Sequence, residues 1–167
     1  AELGQGVQSA MLRIASWELG VPVERLTITG PDTGASPDEG MTAGSLSITQ
    51  GGQALRAATS GLRVLCLSAA AQRLNTSPYG LSVSDGVVHD AGRATGLVLA
   101  DLAAAIDLDQ AVLDFSSPLG QPEDAEQSQR PDLRARIVGA PFVHDMSGAD
   151  MVFGRVFPPP CPRAHLS

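Results

Sequence analysis

The sequence predicts an α+β fold, in which helices pack on a small sheet. Three observations support this prediction. Apolar residues recur at helical spacing over two segments, Val7 to Gly20 and Ser45 to Leu74. Two short apolar segments flank Asp85-Gly86, a dipeptide typical of a hairpin turn. The 167 residues are enough for one domain with a core, or for one domain and part of another.

The first 44 residues contain one helix, one strand and a loop in this interpretation. The helix over Val7 to Gly20 is apolar on one face, and Gly20 provides its C-terminal stop. Polar and apolar residues then alternate over 25–29, which predicts a half-buried strand. Residues 30–44 contain four glycines and show no periodicity, which predicts a long loop.

The middle of the chain carries the longest pattern, over 45–74. Its alanine density predicts a tightly packed central helix, whose first turns Gly51-Gly52 should weaken or separate. The hairpin follows, with strands over 81–84 and 87–89. Thr95 is predicted to cap a further helix that continues to about Ile106.

The last third changes composition. Residues 114–130 are rich in Ser, Pro, Gly, Gln and acidic residues, as linkers are. We therefore divide the chain into a partial first domain over 1–113, this linker, and an unfinished second domain over 131–167. We expect the chain to be a piece of a longer protein. Short strands are predicted in the second domain over 136–139, 141–143 and 151–157.

Charge and cysteine content exclude several classes of function. Eighteen acidic residues outweigh eleven basic ones, all of them arginines, and the net charge is −7. An acidic chain without a basic stripe repels phosphate backbones, so no nucleic-acid partner is expected. No apolar run approaches the roughly 20 residues of a membrane span. Cys66 and Cys161 form neither a disulfide framework nor a metal motif, which favours the cytoplasm and leaves the periplasm open.

Two segments that precede helices are candidate binding sites. Gly4-Gln5-Gly6 lets a bound group approach the backbone, and the following helix start offers unpaired N–H groups to an anion. The Gln5 amide can donate and accept. The alternative is an ordinary tight turn into a helix.

The second candidate segment, residues 42–47, ends the long loop. Three hydroxyls, a glycine and a helix start make it a second candidate anion cradle, unless Ser45 or Ser47 is a plain N-cap. Together, the two segments predict a ligand with a phosphate and a hydrogen-bonding heterocycle, held largely by backbone.

No catalytic constellation or metal spacing is visible among the other polar residues. We expect structural roles for them: surface or strand positions for His89, His144 and His165, solvation of the loop or turn capping for Asp32, Asp38 and Glu39, core packing for Cys66 and Trp17, and solvated ends for Glu18 and Glu24.

Ordered motifs between residues 2 and 86 resemble one protein family. They are Glu2-Leu-Gly-Gln-Gly-Val, Ile14-Ala-Ser-Trp-Glu-Leu-Gly-Val, Gly30-Pro-Asp-Thr, Pro37-Asp-Glu-Gly, Thr42-Ala-Gly-Ser, Gly52-Gln-Ala-Leu-Arg and Leu81-Ser-Val-Ser-Asp-Gly. This series is similar to the molybdopterin-binding region of the large subunit of the xanthine oxidase family of molybdenum hydroxylases.

Motifs at the end of the chain resemble the start of that family's α/β hammerhead domain. They are Arg130-Pro-Asp, Arg136-Ile-Val-Gly, Phe142-Val-His-Asp and Phe153-Gly-Arg-Val. A hammerhead domain that follows the pterin-binding motifs is similar to the isoquinoline oxidoreductase and nicotinate dehydrogenase type of subunit.

The resemblance implies site residues. Gln5 matches a glutamine that hydrogen-bonds an oxo group or the pterin near molybdenum, and residues of 42–47 match the loop that holds the pterin and its phosphate. Ser9 stands where Thr is usual, and Pro158 where Arg is expected. The implied cofactor-binding set is Gly4, Gln5, Gly6, Thr42, Ala43, Gly44, Ser45 and Ser47. Nothing matches the family's catalytic glutamate, so no catalytic residue and no metal ligand are assigned.

The resemblance also implies what the whole protein does. It would be a molybdenum-dependent hydroxylase or dehydrogenase that acts on aldehydes or N-heterocycles such as nicotinate or isoquinoline, with water as the oxygen source. The implied cofactor is molybdenum-molybdopterin, in the cytosine dinucleotide form in a bacterial protein. The implied partners are the rest of the large subunit, a small subunit with 2Fe–2S clusters, and a small-molecule substrate.

Two other interpretations stay open. The chain alone, without a catalytic glutamate, would be inactive. The main alternative is a non-catalytic fragment or a degenerate paralogue that acts as a binding or scaffold module. A generic nucleotide-binding α/β domain is disfavoured, because Gly4-Gln5-Gly6 follows no strand and lacks the third glycine.

Overall fold

The computed structural model describes residues 2–30, 32, 34, 36, 38, 40–108, 130, 132–142 and 145–158. The chain divides into two compact units, residues 1–132 and 133–167. The first unit combines helices with one three-stranded antiparallel sheet, the mixture that an α+β fold contains. Of the predicted linker, only Arg130 lies among the described residues.

Helix α1 spans Val7–Leu19 and confirms the first predicted helix. It ends at Gly20, whose φ of 65° is left-handed and whose N–H donates to the carbonyl groups of Ser16 and Trp17. A residue with a Cβ adopts this backbone conformation only at a cost, so a glycine terminates the helix here.

Helix α2 spans Gln53–Leu74 and follows a π-helical turn, Ser47–Gly52. This confirms the long central helix and the separate character of its first turns. The turn packs closely on α1, because a Cβ added at Gly52 would stand 3.1 Å from Cδ1 of Ile14. The missing side chain therefore lets α1 approach the start of α2.

Strands β1 (Leu81–Ser84), β2 (Val87–Asp90) and β3 (Arg93–Val98) form the sheet in that order. Asp85 and Gly86 both have positive φ, 54° and 72°, as a two-residue hairpin turn requires. The hairpin predicted around this dipeptide is confirmed.

The helix predicted over 95–106 is wrong in its first part. The chain continues as β3 through Val98, and helix α3 spans only Leu99–Ala104. Thr95 is not a helix cap: its Oγ1 donates to the carbonyl oxygen of Val88 at 2.7 Å, across the sheet. Pairing with β2 satisfies the backbone of this segment and overrides its weak helical pattern.

The strand predicted over 25–29 is also wrong. A 3₁₀ turn spans Val23–Arg25, and residues 26–30 join no strand of the sheet. Leu26 packs against the core nonetheless. The alternation in the sequence therefore reflects single side chains that turn inward, without the hydrogen-bonded ladder that a strand needs.

In its described residues, the second unit has one short helix, α4, over Leu133–Ile137. Its other described residues, 138–142 and 145–158, form neither helix nor strand. The strand predictions are therefore wrong for the described residues of all three segments, 136–139, 141–143 and 151–157; residue 143 lies outside the described part. A short strand is stable only beside a partner, and no strand pairs with these segments in the part of the chain that the structure describes.

The hydrophobic core of the first unit lies between α2, the sheet and α3. Cys66, Ala70 and Val88 are completely buried there. The buried apolar residues are Leu19, Cys66, Ala70, Ala71, Leu81, Val88, Leu99 and Leu102. No helix of the described residues combines the length and apolar character that crossing a bilayer requires.

Candidate functional site

The first predicted segment forms a turn directly before α1, here named the Gly4–Gly6 turn. Gly4 and Gly6 both have positive φ, 102° and 85°. Gln5 between them is exposed, and its Oε1 accepts a hydrogen bond from the backbone N–H of Leu3 at 2.5 Å. The turn therefore holds Gln5 at the surface beside the start of α1.

The carboxylate of Glu2 lies inside this turn. Its Oε1 accepts hydrogen bonds from the N–H groups of Gly4 at 2.7 Å and Gly6 at 2.9 Å. Its Oε2 accepts from the N–H of Gln8 at 3.1 Å. The expectation that the start of α1 offers unpaired N–H groups to an anion is therefore wrong for these groups, because the chain's own carboxylate takes the position that the helix dipole favours for negative charge.

Arg130, from much later in the chain, reaches the same turn, and Asp132 binds the Arg130 guanidinium there. Nη1 of Arg130 donates to the carbonyl oxygen of Gly4 at 3.1 Å. Nε and Nη2 of Arg130 donate to Oδ1 and Oδ2 of Asp132 at 3.1 and 2.7 Å, and this hydrogen bonding is the main cause that raises the pKa of Arg130. The Ser9 hydroxyl on α1 donates to Oδ1 of Asp132 at 3.0 Å. Sequence reasoning assigned no such role to Arg130 and Asp132.

The second predicted segment, residues 42–47, turns sharply into the π-helical turn. Gly44 and Ser45 are both left-handed, with φ of 64° and 58°, and Leu46 returns to the right-handed region. Such a reversal points successive N–H groups to one side, a concavity that suits anions; one of these groups, the N–H of Leu46, already donates to the carbonyl oxygen of Ala43 at 3.4 Å. No side-chain hydrogen bond caps the turn, so the alternative of N-capping by Ser45 or Ser47 is not what the structure shows.

The Gly4–Gly6 turn and the 42–47 segment line one open cleft of about 440 Å³. The sequence places them far apart, and the packing of α1 against the start of α2 brings them together. Gly4 belongs to the turn but is not among the residues lining the cleft. The lining residues are Leu3, Gln5, Gly6, Val7, Ala10, Thr42, Ala43, Gly44, Ser45, Ser47 and Ile48.

The lining of the cleft is suited to binding and not to proton transfer. No ionisable side chain is among the described residues that line it. Its polar side chains are the Gln5 amide and the hydroxyls of Thr42, Ser45 and Ser47, which fix orientation by hydrogen bonds. A general acid or base needs a group that changes its protonation near neutral pH, and these groups do not.

Other polar residues singled out in the sequence have structural roles where they are described. Asp32 and Asp38 each accept a hydrogen bond from the backbone N–H two residues further on, which confirms turn capping. His89 lies on β2, with Nδ1 3.0 Å from the carbonyl oxygen of Val87. In the described ranges, no group of three or more His, Cys, Asp or Glu is placed to hold a metal ion. His144, His165 and Glu39 lie outside the described residues.

Glu18 is not the solvated helix end that the sequence predicts. Its side chain is fully buried, and Oε1 accepts a hydrogen bond from Nε of Arg56 at 2.5 Å. The Arg56 guanidinium also lies over the Trp17 ring, 4.5 Å from its centroid. Burial lowers the pKa of Arg63 nearby, and the charge of Glu18 opposes that shift. The helices α1 and α2 therefore share a charged cluster of Glu18, Arg56 and Arg63, in which Glu18 and Arg63 are buried and Arg56 is partly exposed.

Cys66 is confirmed as a small core residue. Its side chain is fully buried, its Sγ lies 3.9 Å from the carbonyl oxygen of Leu99, and burial raises the pKa of its thiol. Glu24 is exposed, as predicted.

Comparisons with known proteins give a family for this arrangement. The family model described as the molybdopterin cofactor-binding domain matches residues 1–142. One of the subunits of nicotinate dehydrogenase from Pseudomonas putida is 29% identical over 164 residues. The alignment covers 95% of this chain but only 14% of that relative. No solved structure matches the chain significantly.

Proposed function

Since the chain belongs to the molybdopterin cofactor-binding domain family, we propose that its cleft holds the pterin of a molybdenum cofactor. The observation that supports this most directly is the meeting of the Gly4–Gly6 turn and the 42–47 segment on one cleft. Both segments also carry the motifs by which the sequence resembles molybdopterin-binding subunits.

The residues of the cleft fit such a group. Its volume of about 440 Å³ lies within the range of roughly 300–1,000 Å³ for small-molecule sites. The hydroxyls of Thr42, Ser45 and Ser47 and the backbone reversal at Gly44 suit a phosphate. The Gln5 amide both donates and accepts, as the edge of a heterocycle requires.

The structure also favours one orientation of the cofactor. Glu2 already accepts hydrogen bonds from the N–H groups of the Gly4–Gly6 turn and adds a negative charge there. A phosphate is repelled from that side, so we assign it to the 42–47 segment and the pterin to the side of Gln5. When bound, the cofactor supplies the two-electron redox chemistry of molybdenum, while the residues of this chain bind and orient it.

We propose that the whole protein is a molybdenum-dependent hydroxylase or dehydrogenase that acts on aldehydes or N-heterocycles, with oxygen from water. The support is the similarity to a subunit of nicotinate dehydrogenase. The proposal includes a partner subunit with 2Fe–2S clusters and a cytosine dinucleotide form of the cofactor. It also includes a hammerhead domain that begins in residues 131–167, after a first domain over 1–113 and the linker, since the motifs at the end of the chain resemble such a domain.

The test is the cofactor content of the purified chain. We expect the chain, produced in bacteria supplied with molybdate, to retain molybdenum and pterin in equal amounts, measured by elemental analysis and by pterin fluorescence after oxidation. Gln5→Ala should lower retention about tenfold, because it removes a hydrogen bond to a strongly polar group. Gln72→Ala, at an exposed position of α2 outside the cleft, is the matched control.

A wild-type chain that is folded by circular dichroism but takes up no pterin would contradict the proposal. That result would favour the alternative, a non-catalytic binding or scaffold module.

A further inference from the structure

The Gly4–Gly6 turn is held by hydrogen bonds to the adjacent Glu2 and to the distant Arg130. Glu2 accepts from its N–H groups, and Arg130 donates to the carbonyl oxygen of Gly4. The second contact joins residues 126 positions apart in the sequence. Because both the donors and an acceptor of the turn are bound, its backbone has few alternative conformations.

Arg130 lies directly against Gly6. A Cβ added at Gly6 would stand 2.8 Å from Cζ of Arg130 and 2.9 Å from its Nε. Gly6 therefore serves two needs at once: the positive φ before α1, and the space in which the guanidinium lies. Any larger residue at this position displaces Arg130 or the turn.

Asp132 fixes the guanidinium in that place. It accepts two hydrogen bonds from Arg130, and it accepts a third from the Ser9 hydroxyl in the first part of α1. Two parallel bonds define the orientation of a planar guanidinium, which a lysine ammonium does not reproduce. The Arg130–Asp132 pair therefore connects the turn to the helix that follows it.

Arg130 also offsets negative charge beside the cleft. Arg130 stands between the carboxylates of Glu2 and Asp132, and both of them contribute to the raised pKa of its guanidinium. Without Arg130, two negative charges would act on the Gly4–Gly6 turn at the edge of a cleft that is suited to an anionic ligand.

We propose that Arg130 and Asp132 are positioning residues, which hold Gln5 and the Gly4–Gly6 turn in the conformation that binds the pterin. This role rests on the proposed function. Neither residue lines the cleft, so both act through the turn. Their loss should loosen the turn and lower cofactor retention without loosening the core.

The first experiment measures amide hydrogen exchange by NMR in the cofactor-free 167-residue chain. In Arg130→Ala and in Asp132→Asn, we expect the Gly4 and Gly6 amides to exchange about tenfold faster, because the turn loses charge-assisted hydrogen bonds. The Cys66 and Ala70 amides in the core should not change. Arg130→Lys should not restore protection. Unchanged exchange at Gly4 and Gly6 would overturn the proposal.

The second experiment tests the contact between Gly6 and Arg130. It is a double-mutant cycle that measures pterin retention. Gly6→Ala carries the same backbone strain whether residue 130 is Arg or Ala, so that cost cancels in the cycle. The remaining effect of Gly6→Ala is that it displaces Arg130. Removing a residue that is already displaced should cost little, so we expect the double variant to lose little more pterin than Gly6→Ala alone. Arg93→Ala, an exposed arginine on β3, is the control and should retain pterin as the wild type does.

The outcomes separate this proposal from the proposed function. Faster exchange together with lower retention supports the positioning role. Faster exchange with full retention overturns it, because the pair would then be structural only. A wild-type chain that takes up no pterin refutes the proposed function and this role with it, while the exchange data still report whether the pair holds the turn.

Discussion

Glu18 and Arg56 join α1 to α2 through a hydrogen-bonded ion pair whose carboxylate is inaccessible to water. Glu18 is 0% exposed, whereas the side chain of Arg56 is 38% exposed and lies over the Trp17 ring. One side of the guanidinium is thus exposed to solvent, and its other side covers the carboxylate. One side of the cleft leads into α1, and the other leads through the π-helical turn into α2, so a pair that joins α1 to α2 helps to hold the two sides together.

Glu18→Gln should lower the free energy of unfolding by about 1.5–3 kcal/mol, the contribution typical of a hydrogen bond to a charged group. The substitution keeps the shape of the side chain but removes the charge that compensates Arg56 and buried Arg63. Urea unfolding measures the change. Glu24→Gln, at an exposed position, is the matched control and should be neutral. Equal stability of the two variants would show that the buried pair contributes nothing.

Gly20→Ala should destabilise the first unit more than Gly92→Ala. Both glycines have positive φ, 65° and 78°, so both variants carry the left-handed cost of about 1–2 kcal/mol. A Cβ at Gly20 would also stand 2.6 Å from the carbonyl oxygen of Val83, while nothing lies within 4 Å of one at Gly92. We expect a further loss of about 1–3 kcal/mol at Gly20 from this overlap, measured by thermal unfolding. Equal losses would rule out the steric contribution.

The buried thiol of Cys66 should make stability depend on pH in alkaline solution. Burial raises the pKa of this thiol in the folded chain, so the unfolded chain loses its proton first as the pH passes about 9. The unfolded state then binds fewer protons, and the free energy of unfolding falls as the pH rises towards the folded pKa. Cys66→Ala, in a Cys161→Ser background, should show a smaller slope than the same background with Cys66. Identical slopes would contradict the conclusion that burial raises the pKa of the Cys66 thiol.

Ser45→Gly should weaken pterin retention without a large change in the stability of the chain. The substitution relieves a left-handed serine, and the greater freedom of glycine in the unfolded chain offsets that gain, so stability should change by less than about 1 kcal/mol. Pterin retention should fall several-fold because one hydroxyl is lost from the cleft, about 1 kcal/mol of hydrogen bonding.

Asp85→Gly is the control for this prediction. It relieves a similar left-handed residue in the hairpin turn, outside the cleft, and should retain pterin fully. If both variants lose pterin equally, the loss does not come from the Ser45 hydroxyl.

Local signals explain which elements the sequence predicts correctly. The faces of α1 and α2 repeat at helical spacing, and Asp85-Gly86 is a turn dipeptide, so each signal lies within the element it forms. The helix over 95–106 fails because a second turn, at Ala91 with φ of 45°, folds β3 back on β2. Gly92 beside it, also at positive φ (78°), suits such a turn, but alanine seldom adopts this conformation, so Ala91-Gly92 is a weaker local signal than Asp85-Gly86.

Contacts between distant residues explain what the sequence does not show. The two lining segments can be proposed from their glycines and hydroxyls, but their meeting depends on how α1 packs on α2. Glu18 resembles a solvated residue because its partner, Arg56, stands 38 positions later. Burial of a charge is decided by such partners and not by its neighbours in the chain.

The hydrogen bond between Ser9 and Asp132 spans 123 positions in the sequence. Contacts of this kind form late, since a chain gains them only after the intervening segment has been made and its ends have met by diffusion. During synthesis from the N-terminus, α1 and the hairpin have their local contacts well before Asp132 emerges from the ribosome. The Gly4–Gly6 turn, although it precedes these elements in the chain, therefore reaches its final state among the last parts of the unit, and any group that depends on that state has to be inserted after translation of this region.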